Sequence, residues 1–296
     1  MCLEGLGQLT MMSGPQIALL PDGRRLHLNH GPIDLIIEAF GALSEIEAAY
    51  RQAAEAFPDV LPGLVAELDL LRRSVGTMPE GGIGRRMAAA CARHRQIFVT
   101  PMAAVAGAVA DHMLAALVKG RDLEKAYVNN GGDIAFHLTP GATLTAGLVA
   151  DYHLPALDAT CALTYQFPVR GLATSGWKGR SHSLGIADSV TVLSEHAASA
   201  DVAATLIANA VDAVDPAIQR MPAREFDPDS DLGDRLVTID VGSLADATIA
   251  LALDQGRIVA ETMMQAGHIR AVVLVLQKNY RNVGTLPAGL LPASAA

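Results

Sequence analysis

The chain changes character near Lys125. Before this point, Ala-rich segments with helical spacing are common, such as Pro101–Lys119. After it, short runs rich in β-branched residues follow one another, separated by glycine turns and interrupted by further helical segments. Regular alternation of one strand with one helix is absent from the pattern. Runs of strands between long helices are typical of a mixed or antiparallel sheet covered by helices, so the predicted fold class is α+β.

Turn signals and periodicity divide the chain into elements. A Pro-Asp-Gly turn at residues 21–23 predicts a hairpin, Pro32 predicts the start of a helix, and Gly76–Gly84 is predicted to be a loop. The predicted helices are Pro32–Phe57, Leu64–Arg73, Arg85–His94, Pro101–Lys119, Ser199–Val211 and Leu244–Gln265. The predicted strands are Gln16–Leu20, Arg24–His30, Gln96–Thr100, Ala126–Val128, Ile134–Leu138, Thr143–Ala150, Leu163–Val169, Ser189–Leu193, Arg235–Val241 and Ile269–Gln277.

Composition sets the domain organisation and excludes one class of partner. Of the 296 residues, 51% are hydrophobic and 18% are charged, which is enough to bury a sizeable core. We expect one domain over residues 1–286, either as one unit or as two closely packed lobes with a boundary near residue 120, and a flexible tail over residues 287–296. A net charge of −9 and 4% aromatic residues disfavour nucleic acid, since that partner requires a basic surface and stacking rings.

Cysteine usage and hydropathy bear on the compartment. The three cysteines lie far apart without a CxxC spacing, which is typical of reduced thiols in the cytosol. The first twelve residues lack the basic and apolar pattern of a secretory signal, and Asp111 and His112 interrupt the apolar run Pro101–Val118. We therefore expect a soluble cytoplasmic protein with no membrane partner. A hydrophobic chain of this size is also expected to form a homo-oligomer.

The first segment with functional residue types is Val128–Ile134, where two glycines lie between two predicted strands. Glycines permit positive φ angles and allow a ligand to approach the bare backbone. Asn130 and Asp133 could then hydrogen-bond a hydroxyl or a ring edge. The same residues are also typical of an ordinary hairpin turn, so the spacing favours neither interpretation.

The second segment runs from Gly171 to Ser183. Small residues and hydroxyls are followed by Lys178, Arg180 and His182, a composition that suits an anion such as a phosphate. A histidine there could act as an acid or a base near neutral pH. The alternative is a polar surface loop in which His182 only hydrogen-bonds the backbone.

The third segment is Ser199–Thr205. Asp201 and Thr205 lie four residues apart, so on a helix they share one face. A carboxylate, a hydroxyl and a backbone carbonyl such as that of Ala200 are the oxygen ligands that Mg²⁺ takes in proteins. The alternative is a helix start at which Ser199 or Asp201 caps the free N–H groups.

These three segments, in this order, resemble the ApbE-like family, the FAD:protein FMN transferases. The family pattern Gly-x-x-x-Asp before a V-N-x-G-G-D turn is similar to Gly107–Asp111 followed by Val128–Asp133. Its A-T-S-G loop and S-H pair are similar to Ala173–Gly176 and Ser181–His182, and its A-D-x-x-A-T motif is similar to Ala200–Thr205. Together these matches span roughly a third of the chain.

The resemblance implies an ApbE-type α+β fold that binds FAD in a cleft with Mg²⁺. It implies that the metal neutralises the FAD diphosphate during cleavage, and that FMN passes to a threonine hydroxyl of an acceptor protein. The implied metal ligands are Ala200, Asp201 and Thr205, and the implied catalytic residues are His182 and Asp201. The implied flavin-binding residues are Asn129, Asn130, Gly131, Gly132, Asp133, Ala173, Thr174, Ser175, Gly176 and Ser181.

Two departures from the family pattern indicate a divergent branch. Ala106 stands where the family usually has a lysine, and the segment Ser183–Asp188 is shorter than its counterpart and has no proline. These departures favour a second function, in which the protein binds a flavin, a nucleotide or an aromatic metabolite in the same cleft without transferring it. A third hypothesis is a non-enzymatic, homo-oligomeric protein that binds partners through its Ala-rich helices.

Overall fold

The fold is seen in a computed structural model that describes residues 14–74, 76–148 and 159–287. The predicted tail and the first twelve residues therefore lie outside the described residues, except for Pro287. The strands are β1 (Gln16–Leu19), β2 (Leu26–His30), β3 (Ile33–Gly41), β4 (Leu123–Asn130), β5 (Asp133–Leu138), β6 (Thr143–Leu148), β7 (Ala159–Thr164), β8 (Gly171–Ser175), β9 (Ser189–Ser194), β10 (Ile218–Pro222), β11 (Leu236–Val241), β12 (Ala271–Leu276) and β13 (Asn279–Gly284). The helices are α1 (Leu43–Ala56), α2 (Val60–Ala66), α3 (Leu68–Leu71), α4 (Gly82–Ala92), α5 (Val105–Val118), α6 (Ala197–Ala210), α7 (Ala223–Phe226) and α8 (Asp246–Gln265), with 3₁₀ turns at Phe57–Asp59 and Pro101–Ala104.

One nine-stranded sheet organises the molecule. Its strand order is β1-β2-β3-β4-β5-β8-β9-β12-β13, and every neighbouring pair is antiparallel. Two-stranded ribbons are formed by β6 with β7 and by β10 with β11. The predicted α+β class is confirmed, and the sheet is of the antiparallel kind. The division into one unit or two lobes stays a prediction.

Helices cover one face of the central strands. Helices α5 and α6 pack against β4, β5, β8 and β9 as well as against each other, while α8 packs against β12 and β13. On the other face, a smaller apolar cluster is shared with the β6–β7 ribbon and includes Phe136, Leu163 and Leu193. Because both faces are covered, every residue of β9 is buried, which explains its uniformly apolar or small side chains.

Pro101–Val118 is long and apolar enough to cross a membrane by length and composition, and half of it is buried within the protein. Its residues Ala108, Val109 and Met113 belong to the main core, and α5 packs against α1, α6, β4 and β5. This segment thus serves as a central helix of the fold.

The predicted helix Pro32–Phe57 is wrong in its first third. Residues Ile33–Gly41 form β3, which is hydrogen-bonded to β2 on one side and to β4 on the other, and the helix begins only at Leu43. Ile33, Leu35 and Ile37 are buried at a spacing of two residues, as a strand requires. Ile33 and Ile37 fit both periods, whereas Ile36 fits only the helical one and lies on the other face of β3. The hydrogen bonds to β2 and β4 make this segment a strand.

Other boundaries also differ from prediction. Gln96–Thr100 is not a strand, since the structure assigns it no strand partner and Thr100 instead accepts a hydrogen bond from the Cys91 thiol. The predicted strand Leu163–Val169 ends at Thr164, because the Arg170 guanidinium donates to carbonyls within the following turn.

Two helix boundaries also differ from prediction. The predicted helix Leu64–Arg73 is divided at Glu67, and the Glu67 carboxylate accepts hydrogen bonds from the amides of Glu80 and Gly81. The predicted loop Gly76–Gly84 already becomes helix α4 at Gly82.

Candidate functional site

The double-glycine segment is a tight hairpin turn between β4 and β5. Gly131 and Gly132 have φ angles of 64° and 112°, in the region that favours glycine, and the Gly132 amide donates to Asn129 Oδ1 at 2.8 Å. A Cβ on Gly131 would lie 3.2 Å from Arg180 Nη1, so this guanidinium rests against the bare backbone of the turn. The ordinary turn interpretation is confirmed, and the turn has a cation beside it.

Asn130 and Asp133 connect this turn to two other elements. Asn130 Nδ2 donates to the Ala106 carbonyl at the start of α5, at 3.1 Å. Asp133 Oδ1 accepts from the Thr174 amide of β8, at 3.3 Å. Both polar side chains are buried. The first two predicted segments therefore meet, and they meet at the N-terminus of α5.

The third segment joins the same place through Asp201. Its Oδ2 accepts from the Gly107 amide at 2.9 Å, across 94 residues of sequence. In the opposite direction, Asp111 on α5 accepts from the amides of Ala197 and Ala198 at the start of α6, at 3.1 and 3.0 Å. Each helix thus supplies the carboxylate that caps the other, and each negative charge faces the positive end of a helix dipole.

This exchange corrects the capping interpretation of the sequence. Helix α6 begins at Ala197 with His196 as its N-terminal flanking residue, and no side chain of its own segment caps it. Ser199 and Asp201 lie within the helix, so the prediction that one of them caps its own helix is wrong. The close crossing depends on Gly107, because a Cβ there would lie only 2.3 Å from the Ala197 carbonyl oxygen.

Burial makes these carboxylates unusually easy to protonate. Desolvation raises the pKa of Asp201 to about 7, against the opposing effect of hydrogen bonds from the Gly107 and Ala106 amides. Desolvation and the nearby Asp201 charge raise the pKa of Asp133 well above its usual range. Desolvation also raises the pKa of Asp111, although Arg86 Nη1 lies 3.8 Å from its Oδ2. Such a group of carboxylates favours a proton or a cation.

The predicted metal ligands lie on one helix. Asp201 and Thr205 are half-buried on α6, one turn apart, and Ala200 is fully buried beside them. Within the described ranges, no three His, Cys, Asp or Glu side chains are grouped as a metal cluster. The donors that fit a hard cation here are a carboxylate and a hydroxyl, with water completing the shell. Asp201 also accepts from the Gly107 amide through Oδ2, so such a cation would share this carboxylate with the N-terminus of α5.

The segment from Gly171 onward divides into two parts. Ala173 is buried in β8, Thr174 Oγ1 lies 2.9 Å from Thr191 Oγ1, and Ser175 ends the strand half-buried. At Gly176 a Cβ would lie 2.4 Å from the Asp188 carbonyl oxygen, which explains the glycine. This first part lies with Asp133, because the Thr174 amide donates to that carboxylate.

The second part turns away toward a separate cavity. Ser181 and His182 line a cavity of about 410 Å³ together with Phe226 of α7 and Thr238 of β11. The His182 ring meets the Phe226 ring edge to face, with centroids 4.8 Å apart. The structure therefore does not bring His182 directly onto Asp201. Arg180 connects the two places, since it lines the cavity and touches the double-glycine turn.

Three residues of these places were not found from the sequence. Asp111 entered only as an interruption of the apolar run Pro101–Val118 and as part of the family pattern, and Phe226 and Thr238 did not enter at all. An isolated carboxylate in the apolar run Pro101–Val118 is a signal for Asp111, because a buried charge requires a partner. No comparable local signal marks Phe226 and Thr238, which are brought in by tertiary structure.

Comparison with known proteins places the chain in a family. A family model described as "AbpE bacteria" matches residues 17–284. A UPF0280 protein of Methanothermobacter thermautotrophicus is 38% identical over 149 residues, covering 48% of this chain and 56% of the relative. A UPF0280 protein of Methanopyrus kandleri is 39% identical over 133 residues, covering 44% and 51%. The chain thus spans about half the length of these relatives.

Solved structures give more distant likenesses. A mutant form of the flavin transferase ApbE from Vibrio cholerae aligns with a TM-score of 0.39 and 12% identity, covering 88% of this chain and 97% of that one. The apo flavinyl transferase ApbE of Pseudomonas stutzeri aligns with a TM-score of 0.35 and 13% identity, covering 92% and 96%. On the match over residues 17–284, the chain belongs to the family described as "AbpE bacteria", and it is a divergent ApbE-like protein.

Proposed function

We propose that this protein is a Mg²⁺-dependent FAD:protein FMN transferase. The observation that carries the proposal is Asp201, a half-buried carboxylate with a pKa raised to about 7. It lies where the double-glycine turn, β8 and the N-terminus of α5 meet. Family membership over residues 17–284 supports the same reaction class.

The site offers groups for a diphosphate. The positive-φ turn at Gly131–Gly132 presents bare backbone, and Arg180 adds a positive charge beside that turn. Thr174 and Ser175 supply hydroxyls at the end of β8. These residues, with Asn129, Asn130, Asp133, Ala173, Gly176 and Ser181, are the proposed flavin and diphosphate contacts.

In the proposed reaction, an acceptor threonine hydroxyl attacks the phosphorus of the FMN half of FAD. The new P–O bond forms as the bond to the bridging oxygen breaks, and AMP leaves with that oxygen and the bonding electrons. His182 is the proposed acceptor of the hydroxyl proton. Ala200, Asp201 and Thr205 are the proposed ligands of Mg²⁺, which when bound would neutralise charge on the diphosphate.

The test is release of AMP from FAD, followed by chromatography, with Mg²⁺ and with EDTA. Covalent flavin on an acceptor protein would be detected in parallel by in-gel fluorescence. We expect AMP release to require Mg²⁺ and to be lost in Asp201→Asn. Asp122→Asn, at an exposed aspartate before β4, is the matched control and keeps the activity. Absence of AMP release and of flavinylated acceptor with the wild-type protein would contradict the proposal.

A second candidate function has its own supporting observations. Ala106 stands where the family usually has a lysine, and the Asp201 carboxylate already accepts from the Gly107 amide. Both favour a protein that binds a flavin, a nucleotide or an aromatic metabolite in the same cleft without transfer. Thermal stabilisation by FAD or FMN in EDTA, without AMP release, would support this function over transfer.

The non-enzymatic alternative also has a direct test. In a protein that only binds partners through its Ala-rich helices, His182→Ala would leave every ligand affinity unchanged. Homo-oligomer formation stays a prediction, which light scattering of the purified protein would measure.

A further inference from the structure

Two histidines that the proposed reaction does not use lie in contact with each other. His94 follows the end of α4, and His268 lies in the turn between α8 and β12. Their rings meet with centroids 5.0 Å apart and with planes at 86°. His94 is only 8% exposed, and His268 is half-buried. The pair therefore joins two parts of the fold that are far apart in the sequence.

The backbone that carries each ring is held in place. The His94 amide donates to the Cys91 carbonyl at 2.9 Å, and the His268 amide donates to the Met263 carbonyl at 2.9 Å. The His268 carbonyl in turn accepts from the Ser194 hydroxyl of β9, at 2.8 Å. Two fixed elements thus present the two imidazoles to each other.

The imidazole nitrogens of this pair have lone pairs that the protein does not use. The Nδ1 atom of His268 is buried and has no hydrogen-bond partner in the described part of the chain. Within residues 14–74, 76–148 and 159–287, the His94 ring contacts His268 and forms no hydrogen bond either. Edge-to-face packing explains a contact between two rings. It does not explain a buried nitrogen without a partner, which is uncommon in proteins.

The separation of the rings is the one that a metal ion imposes on two imidazoles. A zinc–nitrogen bond is about 2.0–2.1 Å long, which places the ring centre about 3.2 Å from the metal. At a tetrahedral angle, two such ring centres lie roughly 5 Å apart. The observed separation of 5.0 Å matches this value, so rotation of the rings can accommodate an ion without displacement of the backbone.

The electrostatic surroundings of the pair include the ends of two helices. Helix α4 ends at Ala92 and α8 ends at Gln265, so both histidines lie near the negative end of a helix dipole, which favours a cation. The Arg93 charge acts in the opposite direction. Its side chain is exposed, however, and water and salt screen such a charge well.

Both imidazoles are held in the neutral form, which is the form that binds metals. Burial lowers the pKa of His94 to about 4, and the neighbouring His268 and Arg93 act in the same direction. Burial and Arg93 also lower the pKa of His268. Neutral imidazoles suit Zn²⁺, Ni²⁺ and Cu²⁺, whereas Mg²⁺ prefers oxygen ligands. A metal ion therefore has no proton to displace here at neutral pH.

We propose that His94 and His268 form a two-histidine site for Zn²⁺ or a similar divalent transition-metal ion, with water completing the coordination shell. No third His, Cys, Asp or Glu side chain joins them within the described ranges, so the protein supplies two ligands. The site differs from the proposed Mg²⁺ site, where Asp201 and Thr205 offer oxygen atoms, and it does not depend on the transferase. The bound ion links α4, which packs against α5 and α6, to the turn before β12.

The experiment is calorimetric titration of the intact, EDTA-treated and desalted protein with ZnCl₂. Millimolar MgCl₂ is present, so that the proposed oxygen site is already supplied with its own ion. We expect a single saturable site, and His94→Gln and His268→Gln should each weaken it at least ~10-fold. His30→Gln is the matched control, because His30 Nδ1 is also buried without a partner but its ring faces Phe57. That variant should bind Zn²⁺ like the wild type.

Electron paramagnetic resonance of the wild type with one equivalent of Cu²⁺ gives a readout that needs no variant. We expect the signature of two imidazole nitrogens and its loss on addition of excess Zn²⁺. The proposal is overturned if Zn²⁺ does not bind, if both histidine variants bind it like the wild type, or if the spectrum shows fewer than two imidazoles. Loss of Zn²⁺ binding in Asp201→Asn alone would also overturn it, since the ion would then lie at the oxygen site. The AMP-release assay tests the transferase separately, so either proposal can fail without the other.

Discussion

Asp111 and Asp201 each cap the helix that carries the other. Asp111 on α5 accepts from the first amides of α6, and Asp201 on α6 accepts from the Gly107 amide of α5. The two carboxylates thus hold the helices at their crossing, and the same crossing places Asp201 beside the double-glycine turn. The structural role of the two carboxylates and the proposed catalytic role of Asp201 therefore depend on the same helix crossing. Variants of Asp111 and Asp201 can separate these two roles.

Removal of the Asp111 carboxylate is expected to destabilise the protein. In Asp111→Ala, the Ala197 and Ala198 amides lose their acceptor while they remain buried, at a cost of about 2–3 kcal/mol in the free energy of unfolding. Asp111→Asn keeps one acceptor oxygen and should lose less. Urea unfolding measures both, with Asp122→Ala as an exposed control expected to change stability by less than ~0.5 kcal/mol. Equal stability of the Asp111 and Asp122 variants would contradict this role.

Asp201 is expected to make stability fall as pH rises. The pKa of the Asp201 carboxyl is about 7 in the folded protein, against the ordinary value of 3.8 that it has in the unfolded chain. The folded state therefore binds the proton more tightly than the unfolded state does. That contribution is fully present below about pH 4 and is lost as the pH rises through about 7. Between about pH 5 and pH 8, wild-type stability should therefore fall relative to Asp201→Asn by roughly 1–3 kcal/mol, after allowance for partial exposure. Denaturant titrations at both pH values measure the difference, and parallel curves would contradict the assignment.

Mg²⁺ is expected to raise the melting temperature only when Asp201 is ionised. A cation at the carboxylate competes with the proton, so millimolar MgCl₂ should stabilise the wild type more at about pH 8 than at about pH 5. Asp201→Asn should lose this response, and Thr205→Val should reduce it. Differential scanning fluorimetry with NaCl of equal ionic strength provides the comparison. The same shift in Asp201→Asn as in the wild type would place the cation elsewhere.

Gly107→Ala is expected to force α5 and α6 apart. The added Cβ would lie 2.3 Å from the Ala197 carbonyl oxygen, which is backbone and cannot rotate away. We expect a loss of about 2–4 kcal/mol in the free energy of unfolding. Gly63→Ala is the matched control, because Gly63 lies exposed in α2 with nothing within 4 Å of the added methyl group. That control should be stabilising by about 0.5–1 kcal/mol, since alanine favours a helix.

Local patterns predicted the elements whose partners are close in sequence. The hairpin at residues 16–30 and the β4–β5 turn were predicted from their turn residues. The helices α5 and α6 were predicted from their Ala-rich composition. Prediction failed at Ile33–Gly41, where the spacing of Ile33 and Ile37 fits a helix and a strand alike. Only β4, which follows about 80 residues later, completes the pairing that makes this segment a strand.

The same distinction holds for the candidate site. Asn130, Asp133 and Asp201 were singled out because their motifs are short, and the structure brings them together around α5. His182 was expected with them and lies instead against Phe226 in the neighbouring cavity. The difference arises because the excursion between α6 and α8 contributes Phe226 and Thr238 from more than forty residues away, a distance that no local pattern spans.

The two exchanged caps join parts of the chain 86 to 94 residues apart. Because α5 precedes α6 in the sequence, the ribosome synthesises α5 first. During that interval the Gly107 amide has no carboxylate acceptor from Asp201. Helix α5 therefore acquires its final N-terminal partner only when α6 arrives, and the cleft is assembled in the same event. A nascent chain that stops before residue 197 holds the glycine turn but cannot yet hold the site.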